Sequence, residues 1–87
     1  MTIRNYYISS MIHGNENSKE AVYEALHVQT KLPLAIKCGP EKNDTMKEEH
    51  EFLSLLKHQT GIIQMTDAFT FENGILVLCL VLEWASD

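Results

Sequence analysis

Leu34-Ala35-Ile36-Lys37-Cys38 is a strand-like run whose alternation decides how the rest of the chain is read. Side chains on a strand point to opposite faces in turn, so Leu34, Ile36 and Cys38 share one face while Ala35 and Lys37 share the other. A lysine beside a small alanine leaves room for a ligand. Downstream, a step of about 100° per residue gathers Met46, Phe52, Leu53 and Leu56 toward one stripe of a helix, with Glu49 near its middle. A carboxylate enclosed there without a cation costs roughly several kcal/mol or gives up its charge. Lys37 is the nearest upstream lysine with an inward direction and is its natural partner. Helix geometry alone leaves a second outcome open, in which Glu49 sits at the edge of the stripe and reaches water. Glu48 and Glu51 point outward in either case.

On the N-terminal side, Tyr6 to Ile12 reads as a strand that runs into His13-Gly14-Asn15-Glu16-Asn17-Ser18-Lys19-Glu20, a polar stretch with turn chemistry. Ala21 to Val28 is the returning strand, and Gln29-Thr30-Lys31 connects it to the Lys37 strand. Gly39-Pro40 is expected to end that third strand, because proline removes a ladder donor and restricts the residue before it. Thr45 and Glu48 fit a capping box, which starts the helix at Thr45 or Met46 and runs it to Lys57, where Lys57 and His58 suit the negative end of the dipole. Gly61 to Phe69 is a fourth strand, and Phe71-Glu72-Asn73-Gly74 carries an Asn-Gly hairpin signal. Ile75 to Leu82, apolar on both faces, is a fifth strand placed centrally and covered by the helix on one side. The expected fold is α+β: a five-stranded antiparallel sheet with one helix between strands 3 and 4. No internal repeat interrupts it.

Eighty-seven residues bound a single domain or part of one, near the size at which one core barely suffices. Twelve acids against seven bases give a net charge of −5, with no Lys/Arg cluster to track a phosphate backbone, so nucleic acid is not an expected partner. Cys38 and Cys79 are too few for a disulfide framework and are expected as buried free thiols. His13, His27, His50 and His58 are scattered, without Cys-x-x-Cys or a helical His pair, so no metal site is expected. Met1 to Tyr7 lacks the apolar core of a signal peptide, and the longest apolar run, Ile75 to Leu82, is eight residues, too short to span a membrane. An intracellular, cytoplasmic location without membrane attachment is the expectation.

The order of these features resembles the N-terminal lobe of the eukaryotic-type protein kinases. Val22-Tyr23-Glu24-Ala25 is similar to the family's second strand and Ala35-Ile36-Lys37 to its V-A-I-K element. Glu49 with Phe52, Leu53, Leu56 and His58 resembles the glutamate helix. Gly61-Ile62-Ile63 and Thr66-Asp67-Ala68-Phe69 resemble the fourth strand, and Leu80-Val81-Leu82-Glu83-Trp84 the fifth strand entering the hinge. The resemblance implies that residues 1–87 are a kinase N-lobe that binds ATP and, in a complete domain, helps to transfer the γ-phosphoryl group to protein serine or threonine. Lys37 would hold the α- and β-phosphates and Glu49 would orient it. Val22 and Ala35 would roof the adenine, Leu82 would guard the back of the pocket, and the backbone of Glu83 and Ala85 would bond the adenine edge. Ordinary core packing accounts for Val22, Ala35 and Leu82 equally well.

Two departures qualify the resemblance. Counted back from Val22, the glycines of the family's G-x-G-x-x-G-x-V loop fall on Asn15, Asn17 and Glu20, with Gly14 the one glycine nearby. Side chains there obstruct the approach of backbone N–H groups to phosphate, and Glu16 and Glu20 add negative charge. The spacing from Asn73 to Glu83 is long, which loosens the register of Leu82 and Glu83. The family's catalytic aspartate, metal-binding Asp-Phe-Gly and activation segment are not among these residues, so no catalytic residue is assigned here and magnesium would need the C-lobe. The expected partners are ATP and a protein substrate. The alternative is a pseudokinase-like lobe, catalytically inactive, that binds a partner protein through its cleft face or the Ile75–Leu82 run.

Overall fold

The computed structural model describes residues 1–17, 19–56, 59 and 61–84. Six strands and one helix follow in the order β1 (Thr2–Ile3), β2 (Tyr6–Asn15), β3 (Glu20–His27), β4 (Pro33–Pro40), α1 (Asp44–Leu55), β5 (Ile63–Glu72) and β6 (Leu76–Trp84). They form one antiparallel sheet in the order β1-β2-β3-β4-β6-β5. The α+β class and the single helix between the lysine strand and the following strand agree with the sequence reading. The strand count is six rather than five: Thr2–Ile3 pairs with Tyr6–Tyr7 across a tight turn in which Arg4 takes a positive φ of 53°. A two-residue strand is too short for periodicity to reveal.

The sheet curls into a half-barrel. Although β3, β4 and β6 lie between β2 and β5, the Tyr6 ring stacks on Phe69 at 6.0 Å and its hydroxyl donates to Asp67 Oδ2 at 2.8 Å. Arg4 covers the Phe69 ring at 4.7 Å and His27 meets Tyr6 edge-on. Two bulges in β2, at Ser9 and Ile12, increase its twist and allow that closure.

The alternation in Leu34 to Cys38 divides the core as expected. Leu34 and Ile36 pack with Tyr6, Ala25, Phe69, Cys79 and Val81 inside the curl, with Cys38 at its margin. The opposite face holds Met65, Leu78 and Leu80 under Met46 of α1, supported by Leu53, Ala68 and Leu82. Leu78 to Val81 are buried from both sides because β6 lies between β4 and β5. That placement pairs both of its edges and removes it as an exposed aggregation strand.

Five local expectations are corrected. Gly39 and Pro40 do not end the third strand: both pair with β6, opposite Leu78 and Val77. The helix cap is Asn43, whose Oδ1 accepts from Thr45 N–H at 2.8 Å, so the Thr45–Glu48 capping box is not used. Asparagine is the stronger cap and stands one residue ahead of Asp44. α1 ends at Leu55 with Leu56 as its C-cap, while Lys57 and His58 lie outside the described residues. Phe52 is 59% exposed, because it sits about 120° from Met46 around the helix and so beyond the stripe. The last hairpin loop spans residues 73–75, with Gly74 at φ 78° and Asn73 N–H donating to Ile75 O at 2.9 Å, so β5 continues through Glu72.

Candidate functional site

Four elements meet around one ammonium group. Lys37 projects from β4 on the helix side of the sheet, between Val22 on β3 and Leu80 on β6, its register partners. Directly paired residues of antiparallel strands share a face, so this places Val22 beside the lysine stem. Glu49, one turn after Met46 on α1, turns inward and receives Lys37 Nζ on both oxygens, at 2.5 Å and 2.8 Å. Of the two outcomes helix geometry left open, the inward one holds. Both side chains keep about a quarter of their surface accessible, 24% and 26%. The pair is positioned by the fold and still open to solvent.

A second carboxylate adjoins it. Glu20, the first residue of β3, places Oε1 3.6 Å from Lys37 Nζ. That oxygen is buried and lies beyond hydrogen-bond reach of any protein donor among the described residues. A carboxylate oxygen removed from water without a donor is costly, and proximity to the ammonium offsets the cost only in part. The sequence identified Glu20 as negative charge in the loop; its direct approach to Lys37 follows from the β3–β4 register, which no periodicity specifies.

Gly39, expected at the end of the strand, lies inside it. A Cβ there would stand 2.8 Å from Met46 Cγ and 3.0 Å from Glu20 Cγ. Its lack of a side chain lets α1 and the Glu20 stem approach β4, and so lets Glu49 reach Lys37. The available signal was a glycine inside a strand pattern, which marks a close backbone approach.

The loop between β2 and β3 is a hairpin in which Asn15 pairs with Glu20 and Gly14 with Ala21. Asn15 Oδ1 accepts from Asn17 N–H at 3.0 Å, and Lys19 adopts a positive φ of 60°. The fold thus places Asn15, Asn17 and Glu20 around a side-chain-bearing turn, with Gly14 back in the ladder of β2.

At the other end of the same face, Ala35 pairs with Leu82, and the two line a cavity of about 240 Å³ with Pro33, Leu34, Ile63 and Glu83. The β4–β6 ladder runs from Pro40 and Val77 to Ala35 and Leu82; beyond Leu82, β6 pairs with β5 alone, Glu83 opposite Gln64. The backbone edge of Glu83 that faces β4 is therefore outside the sheet ladder and borders the cavity. Ala85 lies outside the described residues. Lys37, Val22, Ala35 and Leu82 thus share one face of the sheet, from an ionic end under Glu49 of α1 to an apolar end bordered by the backbone of Glu83.

Among the described residues no three His, Cys, Asp or Glu side chains gather as a metal site, and no helix is long and apolar enough to cross a membrane. A scan of protein-family models and a search of curated proteins each return no match to this chain.

Proposed function

We propose that this chain is the N-lobe of a protein kinase and binds ATP. The observation that carries the reading is the ion pair from Lys37 on a central strand to Glu49 on the single helix, held at the rim of an open face. A surface ion pair of this kind adds little stability, whereas an oriented ammonium beside an apolar cleft suits an anionic ligand with a flat apolar part. Lys37 takes the α- and β-phosphates and Glu49 fixes its direction. Val22, Ala35 and Leu82 enclose the adenine, and the free backbone edge at Glu83 meets the adenine edge. In a complete domain the activity is transfer of the γ-phosphoryl group to protein serine or threonine. The 87 residues contain no Asp-Phe-Gly, so the aspartates that hold magnesium and accept the substrate proton would come from a C-lobe.

A second reading rests on Glu20. With its carboxylate 3.6 Å from Lys37 Nζ and asparagines in place of two loop glycines, the phosphate end is already occupied by negative charge. This favours a pseudokinase-like lobe that binds a protein partner.

Lys37→Met separates the two. Titration calorimetry of the folded chain with ATP should give measurable binding for the native protein and none for Lys37→Met if the nucleotide reading is right. Unchanged affinity in the variant would remove Lys37 from any nucleotide role, and no binding by either protein would favour the partner-binding lobe.

A further inference from the structure

The face of the sheet turned away from α1 carries a second reactive arrangement, independent of the nucleotide reading. Cys38 on β4 and Cys79 on β6 are register partners, and their sulfur atoms stand 3.0 Å apart. Opposed residues in antiparallel strands have Cα atoms about 4.5–5.5 Å apart, within the span of roughly 4.4–6.8 Å that a disulfide bridges. Both thiols are free, so a bond between them needs a small further approach of the two sulfurs and a two-electron oxidant. Cys79 is only 1% exposed, but it and Cys38 line a cavity of about 450 Å³ whose wall includes Ile8, Tyr23, Phe71 and Val77. The cavity gives a small reagent access to Cys38, which is only partly buried.

The pair is also asymmetric. The hydrogen bond shared with Cys79 holds the Cys38 thiol below its ordinary pKa, against the desolvation that would raise it. Cys79 is pushed up by the same hydrogen bond and by burial. Cys38 is the more accessible of the two residues, which places the attacking thiolate there, with Cys79 Sγ 3.0 Å away in position to resolve it.

We propose that Cys38 and Cys79 are an oxidation site, at which a hydroperoxide converts the dithiol into an intramolecular disulfide between β4 and β6. The Cys38 thiolate attacks a peroxide oxygen: an S–O bond forms, the O–O bond breaks, and the departing hydroxide takes the proton Cys38 released and leaves as water. Cys79 sulfur then attacks Cys38 sulfur: the S–S bond forms, the S–O bond breaks, and the second hydroxide takes the Cys79 proton. Two thiols and one hydrogen peroxide give one disulfide and two waters, with two electrons passing from sulfur to peroxide. The bond ties β4 to β6 at the position next to Lys37.

The test treats the folded chain with hydrogen peroxide at neutral pH and follows intact mass and non-reducing peptide maps. The expected product is a monomer lighter by two hydrogen atoms, containing a Cys38–Cys79 peptide that dithiothreitol cleaves. In Cys79→Ser, dimedone should label Cys38; in Cys38→Ser, Cys79 should stay unlabelled. Unfolding in urea should slow the crosslink by about tenfold or more, because the fold then no longer holds the sulfurs together. Two unreacted thiols, intermolecular dimers, over-oxidation of Cys38 without the crosslinked peptide, or an equal rate in urea would each overturn the proposal.

Discussion

Replacing Glu20 by glutamine tests how the charges around Lys37 are balanced. At 3.6 Å the Lys37 ammonium and the Glu20 carboxylate attract with a gross energy of about 5 kcal/mol at an effective dielectric near 20. Desolvation opposes that attraction, and the orphaned Oε1 carries a penalty of about 1–3 kcal/mol. Desolvation of the two ions, at roughly several kcal/mol, together with this penalty offsets most of the attraction, so Glu20→Gln should change folding stability by less than about 1 kcal/mol in urea denaturation. Ligand binding responds differently. A phosphate brought to Lys37 meets the Glu20 charge at similar range, a repulsion between about 1 and 4 kcal/mol for dielectrics from water to a protein surface. Relief of about 2 kcal/mol corresponds to ATP binding roughly 30-fold tighter. Calorimetric titration of native and variant chains at low salt measures the ratio directly, and molar salt should shrink it by screening. Equal or weaker affinity in a variant that melts like the native protein would refute the claim that Glu20 competes for Lys37. Tighter binding would support the proposed nucleotide role of Lys37.

Gly39→Ala should lower stability by about 1–3 kcal/mol in urea denaturation, because the new methyl group overlaps Met46 and Glu20; a stability equal to native would show that α1 has slack against β4. The same variant should weaken ATP binding through the displaced Glu49, which calorimetry reads separately from the melt. Tyr6 is pushed up to about 12 by burial first and then by its hydrogen bond to Asp67 and the charge of that carboxylate. Its folded-state pKa lies above the unfolded value of about 10, so its contribution to stability is complete below pH 10 and is lost as pH rises through 12. Phenolate absorbance in an alkaline titration should show one tyrosine ionising last, and Asp67→Asn should bring that step to lower pH while burial keeps it above 10. A last step unmoved by Asp67→Asn would mean that the Tyr6–Asp67 contact has no electrostatic effect.

The separation of Lys37 from Leu34, Ile36 and Cys38, the helix that follows, and the buried central character of residues 78–81 were all legible in the chain, because each depends on a local period or a local apolar run. Lys37 and Glu49 could be named as candidate partners for the same reason, although the helix period left open whether Glu49 turns inward or reaches water, and the structure turns it inward. Alternation is blind to what lies across a sheet. It could not tell that Glu20 would reach Lys37, that Cys38 would face Cys79, or that Glu83 would lie beyond the β4 ladder, since those facts belong to register between strands far apart in sequence. Gly39 was misread because glycine before proline has the composition of a turn, and only the arrival of Met46 against it makes a strand interior the better place. The curl that joins Tyr6 to Phe69 and Asp67 comes from the accumulated twist of the whole sheet and its β2 bulges. Local periods reveal most of the inward faces, whereas which of those residues meet depends on register across the sheet and on its closure, which no single segment contains.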